Sequence, residues 1–425
     1  MLLPVLGREI HPDPEGRPAV RELTENKSLL AQMRILDLAE GKAAFCAKLL
    51  ADLGAEVIKL ERPGGESSRR VGPFLGDSPH PERSLSFLYH NSNKKGITLS
   101  LEDPAGRELF LKLVFRADVV VESFPPGTLN DLGLSLKSLL SVNPRLILAS
   151  ITGFGQDGPR SRFKCCDLVA SAFGGQMYVS GSPSTPPLRA AGEQSFYAAS
   201  LYAAIGILLA LRKRTRDGQG SHIDISMQEA VTSTLEHVLV RYWYGKTIAR
   251  RQGSCSWNDF FAILPCQDGH ILLTPLQNWE ILVEWMASEG MAEDLQEDKW
   301  QEEAYRRQHI DHVLEVLKRW TQTQRTGRLF EMGQLLRLPW APVRSLTDLG
   351  QDPQLQARGF FFGLPQPETG QPIPCPGLPY RFSSSSSPGS WKPAPRIGQD
   401  NREVYQNELG LTEEEVQRLS SLQVI

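Results

Sequence analysis

Met33–Pro63, MRILDLAEGKAAFCAKLLADLGAEVIKLERP, reads as one complete βαβ unit, and that fixes the class of fold. Ile35–Leu38 is a short apolar strand. Lys42–Leu53 carries Ala43, Phe45, Cys46, Leu49, Leu50 and Leu53 at helical spacing, and Gly54 closes that helix. Glu56–Leu60 alternates as a second strand. This succession predicts a parallel pair joined by a right-handed crossover.

The pattern recurs downstream. Ile97–Leu101, Ala117–Glu122, Leu146–Thr152 and Ser221–Ser226 read as further strands. Helices are predicted over Asp103–Phe115, Leu136–Val142, Asp167–Met177 and Ser195–Arg212. The last is almost entirely small or aliphatic and is expected to be the most buried helix of the chain. The alternation predicts a doubly wound, Rossmann-like α/β domain.

A chain of 425 residues exceeds one ordinary core, and its composition changes near Arg241, where Trp243, Trp257, Trp279, Trp285, Trp300 and Trp320 follow among many charges. Residues 1–32, with four prolines, read as an N-terminal arm. Residues 33–235 form the large α/β domain and 236–355 a smaller α+β domain with a hairpin turn at Asp268-Gly269-His270. Residues 356–425 form a tail rich in Pro, Gly and Ser that returns to the large domain and closes with a helix over Thr412–Leu422.

Open α/β sheets collect ligands at the carboxyl ends of their strands. Arg62, Arg69 and Arg70 follow such an end, either as phosphate-holding side chains or as a solvated turn. Gly153-Phe154-Gly155-Gln156-Asp157-Gly158 matches G-x-G-x-x-G by letter, but Pro159 follows where a helix should already run. No acidic strand end lies at the required distance, so a turn that admits substrate to the backbone is expected rather than a dinucleotide site.

The net charge of -3 gives no reason to expect nucleic acid or an anionic membrane as partner. No zinc-type Cys/His spacing is present, and no metal or redox cofactor is implied. Six cysteines, one of them on an apolar helix face, suit a reduced cytoplasmic protein. No apolar run is read as long enough to span a membrane, and MLLPVLG, broken by Pro4, is not a signal peptide. Cys165 and Cys166 lack a nearby histidine to activate them, which favours packing.

Several blocks, in this order and spacing, resemble the family III CoA-transferases, the group of carnitine and bile-acid CoA-transferases. They are ILDLAEG…LLADLGAEVIKLERPGG, NSNKKGITLSL, ADVVVESFPPGTLNDLGL, NPRLILASITGFGQDGP, GILLALRKRTRDGQGSHIDISMQEA and APRIGQDNREVY…LGLTEEEV. The resemblance implies two subunits threaded through one another, CoA or acyl-CoA as substrate with a carboxylic acid, and an active site near the subunit interface. By matching positions, Arg62 contacts the nucleotide portion of CoA, and Leu99 and Phe124 flank its adenine. Ser123 stands where asparagine is usual, and Asp131 where a basic residue is common. Lys164 matches a lysine near the CoA, and Asp167 an acidic residue close to the reacting centre. Lys42 stands where relatives carry Gln beside the reacting carbonyl, and is otherwise a solvated helix-start residue. Trp257 replaces part of a glycine-rich lid, facing a larger or aromatic acid or else packing in the small domain.

The family chemistry needs an Asp or Glu that can carry an acyl group and leave again. The resemblance places an Asp ten residues before the glycine that is here Gly206, and that position is Phe196. Three readings stay open. Glu193 serves as a displaced nucleophile; or this chain is the non-nucleophilic half of a heteromer, as in the two-subunit arrangement of succinyl-CoA:benzylsuccinate CoA-transferase; or it binds CoA without chemistry of its own. Racemase activity, found on the same fold, is disfavoured because its histidine falls on Cys166.

Overall fold

A computed structural model describes residues 28–41, 43–255, 261–366, 370–383 and 391–425. Lys42, Trp257 and most of the expected N-terminal arm lie outside the described residues.

Six parallel strands form one sheet in the order β3-β2-β1-β4-β5-β6. They are β1 (Arg34–Leu38), β2 (Glu56–Glu61), β3 (Lys95–Thr98), β4 (Val119–Glu122), β5 (Ile147–Thr152) and β6 (Ser221–Ser226). The register runs Ile35↔Val57 on one side of β1 and Ile35↔Val119 on the other. The predicted strand over 97–101 sits two residues too late. Leu99 and Leu101 are apolar because they line a groove beyond the strand end, not because they pair in it.

Successive side chains of a strand point to opposite faces, so the sheet feeds two cores. Ile35, Val57, Val121, Ile147 and Ala149 face α1 (Ala44–Asp52) and the helices that follow β5. Leu36, Ile58, Val120 and Leu148 face the other way. That second side holds α3 (Pro104–Phe115), α4 (Thr128–Asp131) and α5 (Leu136–Val142), of which α3 and α5 pack directly on the sheet, while α2 (Leu85–His90) lies against α1. Pro104 opens α3, and the Asp103 carboxylate caps it by accepting the Ala105 N–H at 2.8 Å.

The helix expected over 167–177 is two pieces, α6 (Asp167–Phe173) and α7 (Gln176–Val179). Gly175, at φ +86°, breaks it. Next come α8 (Gln194–Asp217), α9 (Met227–Ser233) and α10 (Glu236–Gly245). Contrary to the expectation for 195–212, α8 is not buried all round. Phe196, Ala199, Ala203, Ile207 and Leu211 pack into the core, while Leu201, Tyr202, Ile205, Leu208 and Leu209 are exposed. By length and composition α8 also qualifies to cross a membrane, which the sequence reading had not granted; half of its most apolar stretch is buried inside the molecule.

A third core gathers Trp285, Trp300, Trp320 and Trp340. It is built on the antiparallel strands β7 (Ala262–Pro265), β8 (His270–Leu273) and β9 (Ala341–Pro342). Around them lie α11 (Trp279–Ser288), α12 (Glu303–Gln308), α13 (Ile310–Thr321) and α14 (Thr326–Leu335), with α15 (Leu346–Gly350) and α16 (Pro353–Ala357) beyond. The hairpin expected at Asp268-Gly269-His270 joins β7 to β8, with His270 already in the strand, paired with Pro265. A further hairpin pairs β10 (Phe361–Leu364) with β11 (Ile373–Pro376).

The last segment, ending in α17 (Glu413–Ser421), returns to β3. Asp400 takes the Gly96 N–H on its carboxylate at 2.6 Å and donates its own N–H to the Gly96 carbonyl at 2.9 Å. The Tyr405 hydroxyl donates to the Thr98 carbonyl at 2.6 Å, and Ser100 N–H donates to the Val424 carbonyl at 2.8 Å. The outer edge of the sheet is thereby covered.

Candidate functional site

β1 and β4 are neighbours whose connections leave in opposite directions, which opens a crevice outside their carboxyl ends. A cavity of about 200 Å³ lies there. Its walls include Leu38, Leu60, Leu99, Leu101 and Phe124, and Arg62 stands at its rim, 61% exposed and 4.0 Å from Glu40. Arg62, Leu99 and Phe124 come from the ends of three different strands, and the sheet brings them to one place. Ser123 is committed elsewhere: its hydroxyl accepts the Glu40 N–H at 3.1 Å, tying the loop after β1 to the loop after β4. Lys164 is exposed in the segment between β5 and α6, outside this cavity's lining.

Arg69 does not hold a phosphate. It is buried, donates to both oxygens of Glu61 at 2.7 Å, to Glu82 at 2.7 Å and to the Pro395 carbonyl at 2.9 Å, and stacks 3.8 Å over the Phe87 ring. Four of the five N–H groups of its guanidinium are used to fix the loop that carries Arg62.

The loop after β1 is held by buried charges. Asp37 accepts the Ala39 N–H at 3.0 Å and pairs with Lys94 at 2.7 Å. Lys94 also donates to the Ala44 carbonyl and to Asn91. Burial pushes its ammonium below the ordinary lysine range, and Asp37 opposes that. Lys59 donates to the Ala39 carbonyl and pairs with Glu66, each at 2.5 Å. Burial lowers the Lys59 ammonium, but Glu66 and Asp37 outweigh that and hold it above its usual value.

The start of α8 gathers the acidic candidates. Glu193 is its N-cap residue and is exposed; partial burial and then the charge of Asp167 raise its carboxyl above the ordinary range. The Asp167 carboxylate accepts the Ser195 N–H at 2.9 Å, and its carbonyl accepts the Ser195 hydroxyl at 3.1 Å. Phe196 faces inward, 9% exposed, among the residues of the first core. Two residues that sequence reasoning did not single out for the site meet here. The Tyr197 hydroxyl lies 3.0 Å from His90 Nε2, and Phe45 packs edge-on against the Tyr197 ring at 4.7 Å. Burial, aided by Lys94 and Lys48, lowers His90 to about 4, so its ring is uncharged near neutrality.

Residues 30–401 match the family described as CoA-transferase family III. The chain belongs to that family. Its curated relatives include the succinyl-CoA:(R)-benzylsuccinate CoA-transferase subunit BbsE of Thauera aromatica, 35% identical over 88% of this chain and 93% of that protein. The succinyl-CoA–L-malate CoA-transferase beta subunit of Chloroflexus aurantiacus is 31% identical over 93% of this chain and 98% of that protein. Among solved structures, a CAIB/BAIF family protein from Brucella suis superposes with a TM-score of 0.80 at 28% identity, covering 89% of this chain and 99% of that one.

CoA-transferases of this family use CoA thioesters as substrates. In this member of the family the crevice offers aliphatic and aromatic walls to a flat apolar group and a cation at its rim to an anion. The acidic groups that could take part in acyl transfer sit at a different place, the start of α8.

Proposed function

We propose that this chain is one subunit of a CoA-transferase that moves CoA from an acyl-CoA donor such as succinyl-CoA to a carboxylic acid, a homologous partner subunit supplying the nucleophilic Asp. Phe196 carries the reading. A phenyl ring cannot accept an acyl group, it is turned into the core, and Asp167 is the only Asp between Cys166 and Arg216. The two relatives described above as subunits support a heteromeric arrangement, as does the apolar stripe of α8, which lacks a cover within the described chain.

In this reading the partner's carboxylate attacks the thioester carbonyl and expels the CoA thiolate, leaving a mixed anhydride. The thiolate then attacks the carbonyl of the enzyme's own carboxylate, freeing the donor acid and forming an enzyme–CoA thioester. The acceptor carboxylate repeats the exchange and leaves as its CoA ester. This chain contributes the groove: Arg62 toward the nucleotide phosphates, Leu99 and Phe124 on either side of adenine, Ser123 holding the loop, and Lys164 approaching the CoA from outside. The large domain over 33–235 with the returning tail 356–425, the smaller domain over 236–355, and an interlocked pair of subunits belong to the same proposal.

Glu193 supports a second reading, a homodimer with a displaced nucleophile. It stands one turn before Tyr197, beside Asp167, with a carboxyl partly shielded from water. Incubating the purified chain with succinyl-CoA and hydroxylamine, then mapping hydroxamates by mass spectrometry, separates the two. A tag on Glu193 establishes the second reading. A tag only on a co-purified homologue establishes the first, and no tag on either chain leaves a CoA-binding protein without chemistry of its own.

A further inference from the structure

A second cavity lies across the 124–128 turn from the CoA groove, at the carboxyl ends of β4, β5 and β6, with a volume of about 370 Å³. One side is apolar, formed by Pro125, Pro126, Leu129, Leu136 and Leu148. The floor is polar. Glu122 accepts the Phe124 N–H at 2.6 Å and the Ser150 hydroxyl, and Ser150 Oγ lies 3.0 Å from His222 Nε2. Burial pushes Glu122 up to about 7, the Asp224 charge adding to this while the bonds from Ser150 and Phe124 oppose it. Burial also lowers His222 below its ordinary value, Asp224 opposing.

Two donors around this cavity have no partner among the described residues. Gln156 Nε2 is buried with no partner, although the backbone N–H of Gln156 is held by Asp224 at 2.9 Å. Arg162 lines the same cavity, and none of the ion pairs among the described residues involves it. A buried donor without an acceptor is costly, and a guanidinium beside an amide forms a fork that matches a carboxylate. Glu122 and Asp224 weigh against a dianion such as phosphate, whereas a single carboxylate needs only one guanidinium. The apolar side asks for a hydrocarbon body.

We propose that this cavity is a second ligand site, separate from the CoA groove, for a monocarboxylic acid with an apolar body. Its carboxylate is held by Arg162 and Gln156, and its body rests on Pro125, Leu129, Leu136 and Leu148. A negative charge arriving there favours the protonated form of Glu122, which is reached from the surface through His222 and Ser150. Asp224 and His222 on β6 and Ser150 on β5 lie around it, and Asn130, Gln156 and Arg162 line the same cavity. Since Glu122 also fixes Phe124, a wall of the groove, the two cavities share one turn.

Calorimetric titration of the full chain with 3-phenylpropionate at pH 6 and pH 8 tests this. The acid is ionised at both values, and the difference between them is assigned to Glu122. Its protonated fraction falls from about 0.9 to about 0.1, and binding should be about tenfold tighter at pH 6. Glu122→Gln should bind equally at both values, while His222→Gln should keep the pH dependence. Arg162→Ala with Gln156→Ala should weaken the acid at least about tenfold without changing CoA affinity, which also certifies the fold; Arg62→Ala should do the reverse. Absence of binding, or binding that ignores Arg162 and Gln156, overturns the site. Equal affinity at both pH values, or pH dependence surviving in Glu122→Gln, overturns the part given to Glu122.

Discussion

Asp37 and Lys94, both fully buried, meet beneath the end of β1 and hold two backbone positions of the loop that follows. Removing one member leaves the other charged in a dry place, at a cost of about 3–5 kcal/mol. Lys94→Met should therefore lower the urea midpoint sharply, and Lys94→Met with Asp37→Leu should recover most of the loss. Glu122 gives a prediction of opposite character. Its folded value of about 7 lies above the 4.5 of a free side chain, so the folded state holds the proton more tightly. Stability is then fully present below pH 4.5, is lost progressively as pH rises toward 7, and is level beyond. At about 1.4 kcal/mol per unit the fall amounts to about 3 kcal/mol. Urea titrations at pH 5 and pH 8 should show it in the parent chain and not in Glu122→Gln.

Along α8 the two faces answer to different partners. The inward face of Phe196, Ala199, Ala203, Ile207 and Leu211 follows the helical period of a stripe laid on a sheet. The outward face is almost as apolar, with Leu209 at 63% exposure. Ile205→Glu with Leu209→Glu should leave the melting temperature of the isolated chain nearly unchanged and abolish subunit association in light scattering. Sequence reading found this helix and misjudged its surroundings, because aliphatic side chains look alike whether a sheet or another chain covers them. The helix over 104–115 was legible from Asp103, Pro104 and its period, and 136–142 from its apolar spacing. The edge strand was misplaced because Leu99 and Leu101 serve a groove. The pairing of His90 with Tyr197 spans 107 positions and left no local mark, and the chain has no sequence signal for the cavity beneath Glu122. The crevice was legible in part, since the strand ends after β2 and β4 could be read, while the end of β3 could not.

The sheet is finished by residues far along the chain. Asn401 bonds both the N–H and the hydroxyl of Thr98, and Val424 and Ile425 are buried against the α3 side of the sheet. Deleting Val424 and Ile425 removes two buried aliphatic side chains and the acceptor for Ser100 N–H, a loss of about 2–5 kcal/mol for each side chain. Thermal unfolding should shift down by several degrees, and CoA should bind more weakly as Leu99 and Leu101 lose their backing. The same arrangement has a consequence in time. Thr98 and Asn401 are 303 positions apart, and a ribosome adding about 5–20 residues per second needs roughly 15–60 s to cover that stretch. Throughout that interval the nascent chain carries β3 as an open edge, the part of a parallel sheet most prone to join the wrong strand. The groove beside β3 is thus completed only after the ribosome has passed Asn401, and until then the unpaired N–H and C=O groups of that strand stay open to any other extended segment.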